Sequence, residues 1–152
     1  MDIYVLAGLV KRLYPKFDIK DFSYRFKLQK FVFLLRGYSL DLGYLFSLYL
    51  KGPYSLDLTR DAFLINEWEK MPLRKFNSES QENKFKKFIK FIKPKKDDEI
   101  WLEGASTVIL LKENNPNLGR DEIIKLFMKI KPKFGIKNTN EIYENLKMEG
   151  LI

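Results

Sequence analysis

Residues 47–58 have the sequence SLYLKGPYSLDL, and this stretch joins two predicted elements at a stiff corner. The run that leads into it, LDLGYLFSLYL, is short and apolar on both alternate faces, which predicts a buried strand. Gly43, near the start of the run, supports the same prediction. Pro53 lacks a backbone N–H and biases Gly52 towards an extended conformation, so the pair is expected to end the strand at a fixed exit angle.

The residues after the Gly-Pro pair predict a helix over residues 56–69. Ser55 stands at an N-cap position, and Asp57 places negative charge in the first turn. The residues expected along one side of this helix are Leu58, Ala62, Ile65 and either Trp68 or Glu69. The corner, Gly52–Ser55, therefore has a structural interpretation that needs no ligand. The functional alternative is that Tyr54 and Ser55 contact a partner.

Two helices are predicted before the corner. Apolar residues recur at helical spacing from Ile3 to Leu13, and Pro15 ends that pattern. A second helix, RFKLQKFVFLLRGY at residues 25–38, is apolar around most of its circumference and is expected to be buried on most sides. Gly37 is expected to act as its C-terminal cap.

The second half of the chain begins with a basic amphipathic helix. The polar stretch MPLRKFNSESQEN is the candidate linker, and it separates residues 1–76 from residues 77–152, with one shared core expected. Apolar residues after it recur at i, i+3, i+4 and i+7, and Pro94 ends the pattern. These apolar residues are Phe85, Phe88, Ile89 and Ile92. The helix is expected to pack on the domain through them, or else to be a detachable arm.

Three more helices are predicted after Asp97. The first, in DDEIWLEGASTVILLKEN, is expected to turn Ile100, Trp101, Ala105, Val108 and Ile109 inward. The second, RDEIIKLFMKIKP, is expected to bury Ile123, Ile124, Phe127 and Ile130. In the third, Asn138 precedes Glu141 by three residues in a capping-box arrangement, and Gly150 is the expected C-cap. The trio resembles a helix-turn-helix in outline, but its last helix is acidic, which disfavours contact with phosphates.

Composition excludes several classes of chemistry. The chain has 152 residues, no cysteine and no histidine, which removes disulfides, thiolate or imidazole metal sites and histidine-activated nucleophiles. No glycine-rich phosphate loop occurs. Acidic pairs and triplets lie near predicted helix ends, where they favour the helix dipole. We therefore expect no catalytic residues, no metal and no cofactor, and a protein that is not an enzyme.

The N-terminus and the apolar runs argue against a membrane or secreted protein. The longest apolar runs are far shorter than the roughly 20 residues that cross a bilayer. In MDIYVLAGLVKRLYPKF an acid precedes the apolar block and cations follow it, the reverse of a secretory signal. A cytoplasmic location is expected.

The net charge of +8 is concentrated in one segment. KFKKFIKFIKPKK, residues 84–96, contains seven lysines and no acid. Such a surface attracts polyanions, of which nucleic acid is the commonest. The candidate phosphate contacts are Lys84, Lys86, Lys87, Lys90, Lys93, Lys95 and Lys96. The alternative is an ordinary solvated helix face.

The sequence resembles a known family at FKLQKFVFLL and at YLFSLYLKGPYSLDL. An LQK helix followed by an aromatic run and a Gly-Pro-Tyr-Ser corner looks like the YwgA-like family, described as predicted transcriptional regulators of winged-helix type. It is more distantly similar to the Panacea domain of antitoxins related to SocA. The matching residues are Leu28, Gln29, Lys30, Gly52, Pro53, Tyr54 and Ser55.

The resemblance implies a compact, mainly helical fold with a short β element, winged-helix-like or Panacea-like, and no established catalytic residues. Two functions follow as hypotheses. The first is a small regulatory protein that binds nucleic acid through the lysines. The second is an antitoxin-like module that binds a partner protein at the corner, with Gln29 and Gly52–Ser55 as the candidate contact or structural residues.

Overall fold

The computed structural model describes residues 2–65 and 67–152. Within these ranges the chain forms seven α-helices and one two-stranded antiparallel hairpin. The helices are α1 (Ile3–Leu13), α2 (Phe22–Leu35), α3 (Leu56–Leu64), α4 (Glu79–Ile92), α5 (Glu99–Asn114), α6 (Arg120–Ile130) and α7 (Gly135–Met148), and the strands are β1 (Ser47–Tyr49) and β2 (Gly52–Tyr54). The predicted fold class, mainly α with a short β element, is confirmed.

Helix α5 lies at the centre of the fold. Every residue from Trp101 to Leu111 is buried, because α2 and β2 pack on it as well as α6 and α7. A helix covered on all sides has no polar stripe, which is why its sequence is apolar around the whole circumference. Ile100 is the exception to the prediction: its side chain is 69% exposed, since it lies in the first turn, before the helix enters the core.

Helix α4 packs against the core through the predicted face. Phe85, Phe88 and Ile92 have no exposed surface. The Phe88 ring lies 5.3 Å from that of Phe31 on α2, in an edge-to-face arrangement, the geometry that aromatic pairs favour. The basic helix is therefore a packed element of the fold and not a detachable arm.

The buried apolar side chains of both halves form one cluster. The segment predicted as a linker takes part in the packing, since α1 lies directly against it. A Cβ atom added to Gly8 would lie 2.2 Å from the carbonyl oxygen of Arg74, and the Arg74 guanidinium pairs with Asp2 at 3.1 Å. In the part of the chain that the structure describes, no helix is long and apolar enough to cross a membrane.

The predicted strand over residues 40–50 is confirmed only at Ser47–Tyr49, and its predicted burial is wrong. Leu40 and Tyr44 are buried, but the segment around them forms no ladder, and β1 is limited to three exposed residues. The sequence run is apolar because its first part packs on the core in an irregular conformation. Apolar alternation alone does not distinguish that arrangement from a strand.

Gly52 and Pro53 do not end a strand but form one. They lie in β2, where Tyr49 faces Gly52 and Leu48 faces Pro53. Alternate pairs of an antiparallel ladder exchange no hydrogen bonds, so Pro53 in the middle pair loses nothing by lacking an N–H. The chain turns into α3 two residues after Pro53, at Ser55, whose hydroxyl accepts the Leu58 N–H at 3.4 Å as predicted.

Three helix ends differ from the prediction. Helix α3 ends at Leu64, and the indole N–H of Trp68 folds back to the Ala62 carbonyl at 3.2 Å. Gly37 lies in a 3₁₀ turn, and the left-handed residue that ends this segment is Ser39, with φ 59°. Asn138 is inside α7, which begins at Gly135, so it caps nothing.

Candidate functional site

Four of the candidate lysines form a continuous exposed surface on α4. Lys86, Lys90 and Lys93 recur at i, i+4 and i+7, which places them along one side of the helix over about 10 Å. Lys87 lies beside them, and all four are exposed. We refer to Lys86, Lys87, Lys90 and Lys93 as the lysine stripe.

The lysine stripe carries uncompensated charge. None of the ion pairs within 4.0 Å among the described residues includes one of its four ammonium groups. Glu82, the acid one turn before Lys86 on α4, is already occupied, because it pairs with Arg12 at 2.9 Å. The four ammonium groups of the lysine stripe are therefore available to bind an external anion.

The other three candidate lysines are placed differently. Lys84 and Lys95 are half-buried, and the Lys95 ammonium lies 5.9 Å from the Trp101 ring centre. Lys96 donates to the Leu13 carbonyl at 3.0 Å, while its own carbonyl accepts from the Tyr14 hydroxyl at 2.6 Å. Lys96 therefore ties α1 to the end of α4, and its charge is not available as the sequence suggested.

The corner is mostly internal. Gln29, Gly52, Pro53 and Ser55 are buried, and Tyr54 is half-buried. The Gln29 side chain accepts the Ser55 N–H at 2.8 Å and donates to the Ser55 carbonyl at 3.0 Å. Its two polar atoms thus satisfy the backbone on both sides of the residue at which the chain turns from β2 into α3. This pairing joins the LQK segment of α2 to the Gly-Pro-Tyr-Ser segment in the fold.

Lys30 is the buried cation of this region, with 2% of its surface exposed. Its ammonium donates to the Pro53 carbonyl at 2.7 Å. Burial lowers the pKa of Lys30 to about 7; Glu103 acts in the opposite direction, and Lys131 lowers the pKa further. This amine therefore loses its proton more readily than the amine of an exposed lysine.

A buried ion pair lies beneath the hairpin. Lys131 and Glu103 join at 2.8 Å, with 8% and 7% of their side chains exposed. The Lys131 ammonium also donates to the Leu50 carbonyl, and Lys133 approaches the second carboxylate oxygen at 3.5 Å. Our sequence analysis missed this pair. The available signal was Glu103 itself, a lone acid within the apolar run WLEGASTVILL.

A groove opens between α2, the hairpin and α3, and we call it the hairpin groove. Its cavity measures about 500 Å³. Five of the twelve residues that line it are aromatic, namely Phe22, Phe26, Tyr49, Tyr54 and Phe63. No sequence motif predicts this groove, because its walls come from three separate elements.

The acidic clusters have structural roles. Asp98 caps α5 by accepting the Trp101 N–H at 2.9 Å, and Asp97 pairs with Lys27 at 2.9 Å. Asp121 pairs with Arg120 at 3.2 Å. Among residues 2–65 and 67–152, no three acidic side chains come together in an arrangement that could hold a metal ion.

Comparison of the chain with protein-family models, with curated proteins and with solved structures finds no match. The resemblance to the YwgA-like family and to the Panacea domain stays a prediction. The proposed function therefore rests on the fold and on the surfaces described above.

Replacing Gly52 by alanine should strongly destabilise the protein. Gly52 has φ +91°, and an added Cβ would lie 2.8 Å from the Thr107 hydroxyl. A left-handed conformation costs a residue with a Cβ about 1–3 kcal/mol, and crowding in a packed core costs a similar amount. We expect chemical denaturation to show a total loss of about 2–4 kcal/mol in the free energy of unfolding.

Gly43→Ala is the matched control for this substitution. Gly43 has φ +83°, but nothing lies within 4 Å of its added Cβ. This variant therefore measures conformational strain without crowding. If Gly52→Ala cost no more than Gly43→Ala, the close contact between the hairpin and α5 would be contradicted.

Proposed function

We propose that this protein is a small, non-catalytic regulatory protein that binds nucleic acid through the lysine stripe of α4. The observation that carries the proposal is a set of four exposed lysines without an acidic partner among the described residues. Lysines on such a surface neutralise phosphates and release condensed counterions, which drives association.

The rigid attachment of α4 supports this proposal. Because Phe85 and Phe88 are fully buried, the stripe has a fixed spacing and loses little conformational entropy when it meets a phosphate backbone. Lysine ammonium groups contact phosphates as point charges and do not form the bidentate contacts with bases that arginine forms. Binding is therefore expected to depend weakly on base sequence.

The test is fluorescence anisotropy with random-sequence duplex DNA between about 50 and 200 mM salt. With about one phosphate contact per stripe lysine, the affinity should fall roughly a hundredfold over this range. Changing Lys86, Lys87, Lys90 and Lys93 together to glutamine should abolish most of the binding and flatten the salt dependence.

The matched control changes four exposed lysines on α6 and α7 to glutamine. These residues are Lys125, Lys129, Lys137 and Lys147. The control has the same net charge as the stripe variant, so a specific role for α4 predicts that it retains a steep salt dependence. Absence of binding at low salt, or equal losses in the two variants, would overturn the proposal.

The antitoxin-like alternative stays a prediction with less support. In that alternative, the corner is the contact surface. However, Gln29, Gly52, Pro53 and Ser55 are buried, and their contacts stabilise the fold. Tyr54 is half-buried and retains some exposed surface. The exposed charge of α4 therefore favours the nucleic-acid proposal.

A further inference from the structure

We propose that the hairpin groove is a binding site for a small organic carboxylate with an aromatic or other apolar body. The site is separate from the lysine stripe. Residues Phe22, Phe26 and Lys30 of α2 line the groove, whereas Phe31 of the same helix faces α4. The inference therefore does not depend on nucleic-acid binding.

The size and walls of the groove fit a small molecule. A cavity of about 500 Å³ is in the range of pockets that enclose small ligands, and such pockets are mainly apolar with a few placed polar groups. Phe22, Tyr49 and Phe63 at the groove are 56%, 58% and 52% exposed. An aromatic or aliphatic body would cover these rings and remove apolar surface from water.

The charges of the groove select an anion. Arg25, Lys30 and Lys51 line it, and none of the described residues that line it is acidic. The Arg25 guanidinium donates to the carbonyls of Ile19 and Lys20 and makes no ion pair with a described carboxylate. Lys51 is exposed at the rim, with its ammonium 5.1 Å from the Phe22 ring centre.

Lys30 provides the deepest contact for a carboxylate. A lysine ammonium has three donors. Among the described residues, the Lys30 ammonium donates to the Pro53 carbonyl. Lys30 is only 2% exposed, but it lines the groove, and its ammonium retains donor capacity beyond the bond to Pro53. A carboxylate at this point would form charge-assisted hydrogen bonds, the stronger kind in proteins.

The site predicts pH-dependent binding. The pKa of Lys30 is about 7, with burial as the main cause; Glu103 raises the pKa and Lys131 lowers it, while Lys133 acts on the same Glu103 carboxylate. A carboxylate stabilises the protonated amine, so the affinity should be greatest below pH 7 and fall as the pH rises through it. Between pH 6 and pH 8 the protonated fraction of a group with this pKa falls about tenfold.

The experiment is a titration of the ¹⁵N-labelled full chain with 1-naphthylacetate, followed by amide chemical shifts. We expect the shifts to concentrate at residues 25–30, 49–54 and 59–63. The uncharged analogue 1-naphthylacetamide should bind about tenfold more weakly, because it cannot form the charge-assisted contacts. The naphthylacetate affinity should also fall about tenfold from pH 6 to pH 8.

Two substitutions complete the test without disturbing buried contacts. Lys51→Gln should weaken naphthylacetate binding about threefold, the modest effect of an exposed charge. Lys87→Gln changes the net charge equally on the lysine stripe and should leave the affinity unchanged. The proposal is overturned if no shifts cluster at the groove, if the amide binds as tightly as the carboxylate, or if the affinity is equal at pH 6 and pH 8.

Discussion

Phe88→Ala should lower the free energy of unfolding by about 3–5 kcal/mol, as truncation of a fully buried phenylalanine does. The Phe88 ring has no exposed surface. It contacts the rings of Phe31 and Tyr38 at centroid distances of 5.3 and 5.4 Å. Its removal would leave a cavity where α4 meets α2. Urea denaturation at equilibrium measures the loss directly.

The control for this prediction is Lys87→Ala, one residue away on the exposed side of α4. Surface substitutions of this kind change stability by about 0.5 kcal/mol or less. A Phe88→Ala variant as stable as Lys87→Ala would contradict the packed position of α4. That result would also contradict the fixed spacing of the lysine stripe, which depends on the packing of α4.

Lys131→Met should destabilise the protein by about 3 kcal/mol or more, because it leaves a buried carboxylate without its main partner. Glu103 is 5% exposed, and after the change its ion-pair partner among the described residues would be the exposed Lys133, at 3.5 Å. The hairpin would also lose the contact between the Lys131 ammonium and the Leu50 carbonyl. Thermal and urea unfolding measure the expected loss.

The double variant Lys131→Met, Glu103→Met separates two explanations of that loss. Replacing a buried ion pair by apolar side chains of similar volume is often neutral or stabilising, so the double variant should regain most of the stability. If it stayed as unstable as Lys131→Met, the Leu50 contact and packing would be the cause. Arg60→Met, at an exposed pair with Asp57, is the control and should have little effect.

The helices show which local signals in the sequence are reliable. The helical spacing in α1 and α4 and the Ser55 cap depend on residues within one or two turns, and these predictions are confirmed. Apolar residues in the run 40–50 predict a buried strand, but Leu40 and Tyr44 are buried by packing outside the ladder, and the strand itself, Ser47–Tyr49, is exposed. Likewise, the sequence could not distinguish a cap at Gly37 from the observed one at Ser39, since Gly37 sits instead against the Leu151 side chain.

The candidate functional surfaces are likewise only partly predictable from the sequence. The lysines were visible as a cluster, but only the structure separates the exposed stripe from Lys96, which is held by Leu13 across the fold. The sequence shows LQK and Gly-Pro-Tyr-Ser as motifs. It does not show the hydrogen bonds that join the Gln29 side chain to the Ser55 backbone. The hairpin groove forms where three separate elements pack together, namely α2, the hairpin and α3. No short stretch of sequence predicts that arrangement.

The sequence by itself determined the helical class, the positions of most helices and the concentration of positive charge, because periodicity, caps and composition are local or additive properties. Tertiary structure decided which lysines face solvent, how Lys30 and Lys131 hold the hairpin on α5, and where a groove forms. Those features depend on contacts between residues far apart in the chain. Their energies come from burial and from the pairing of desolvated polar groups, which exist only once the chain is folded.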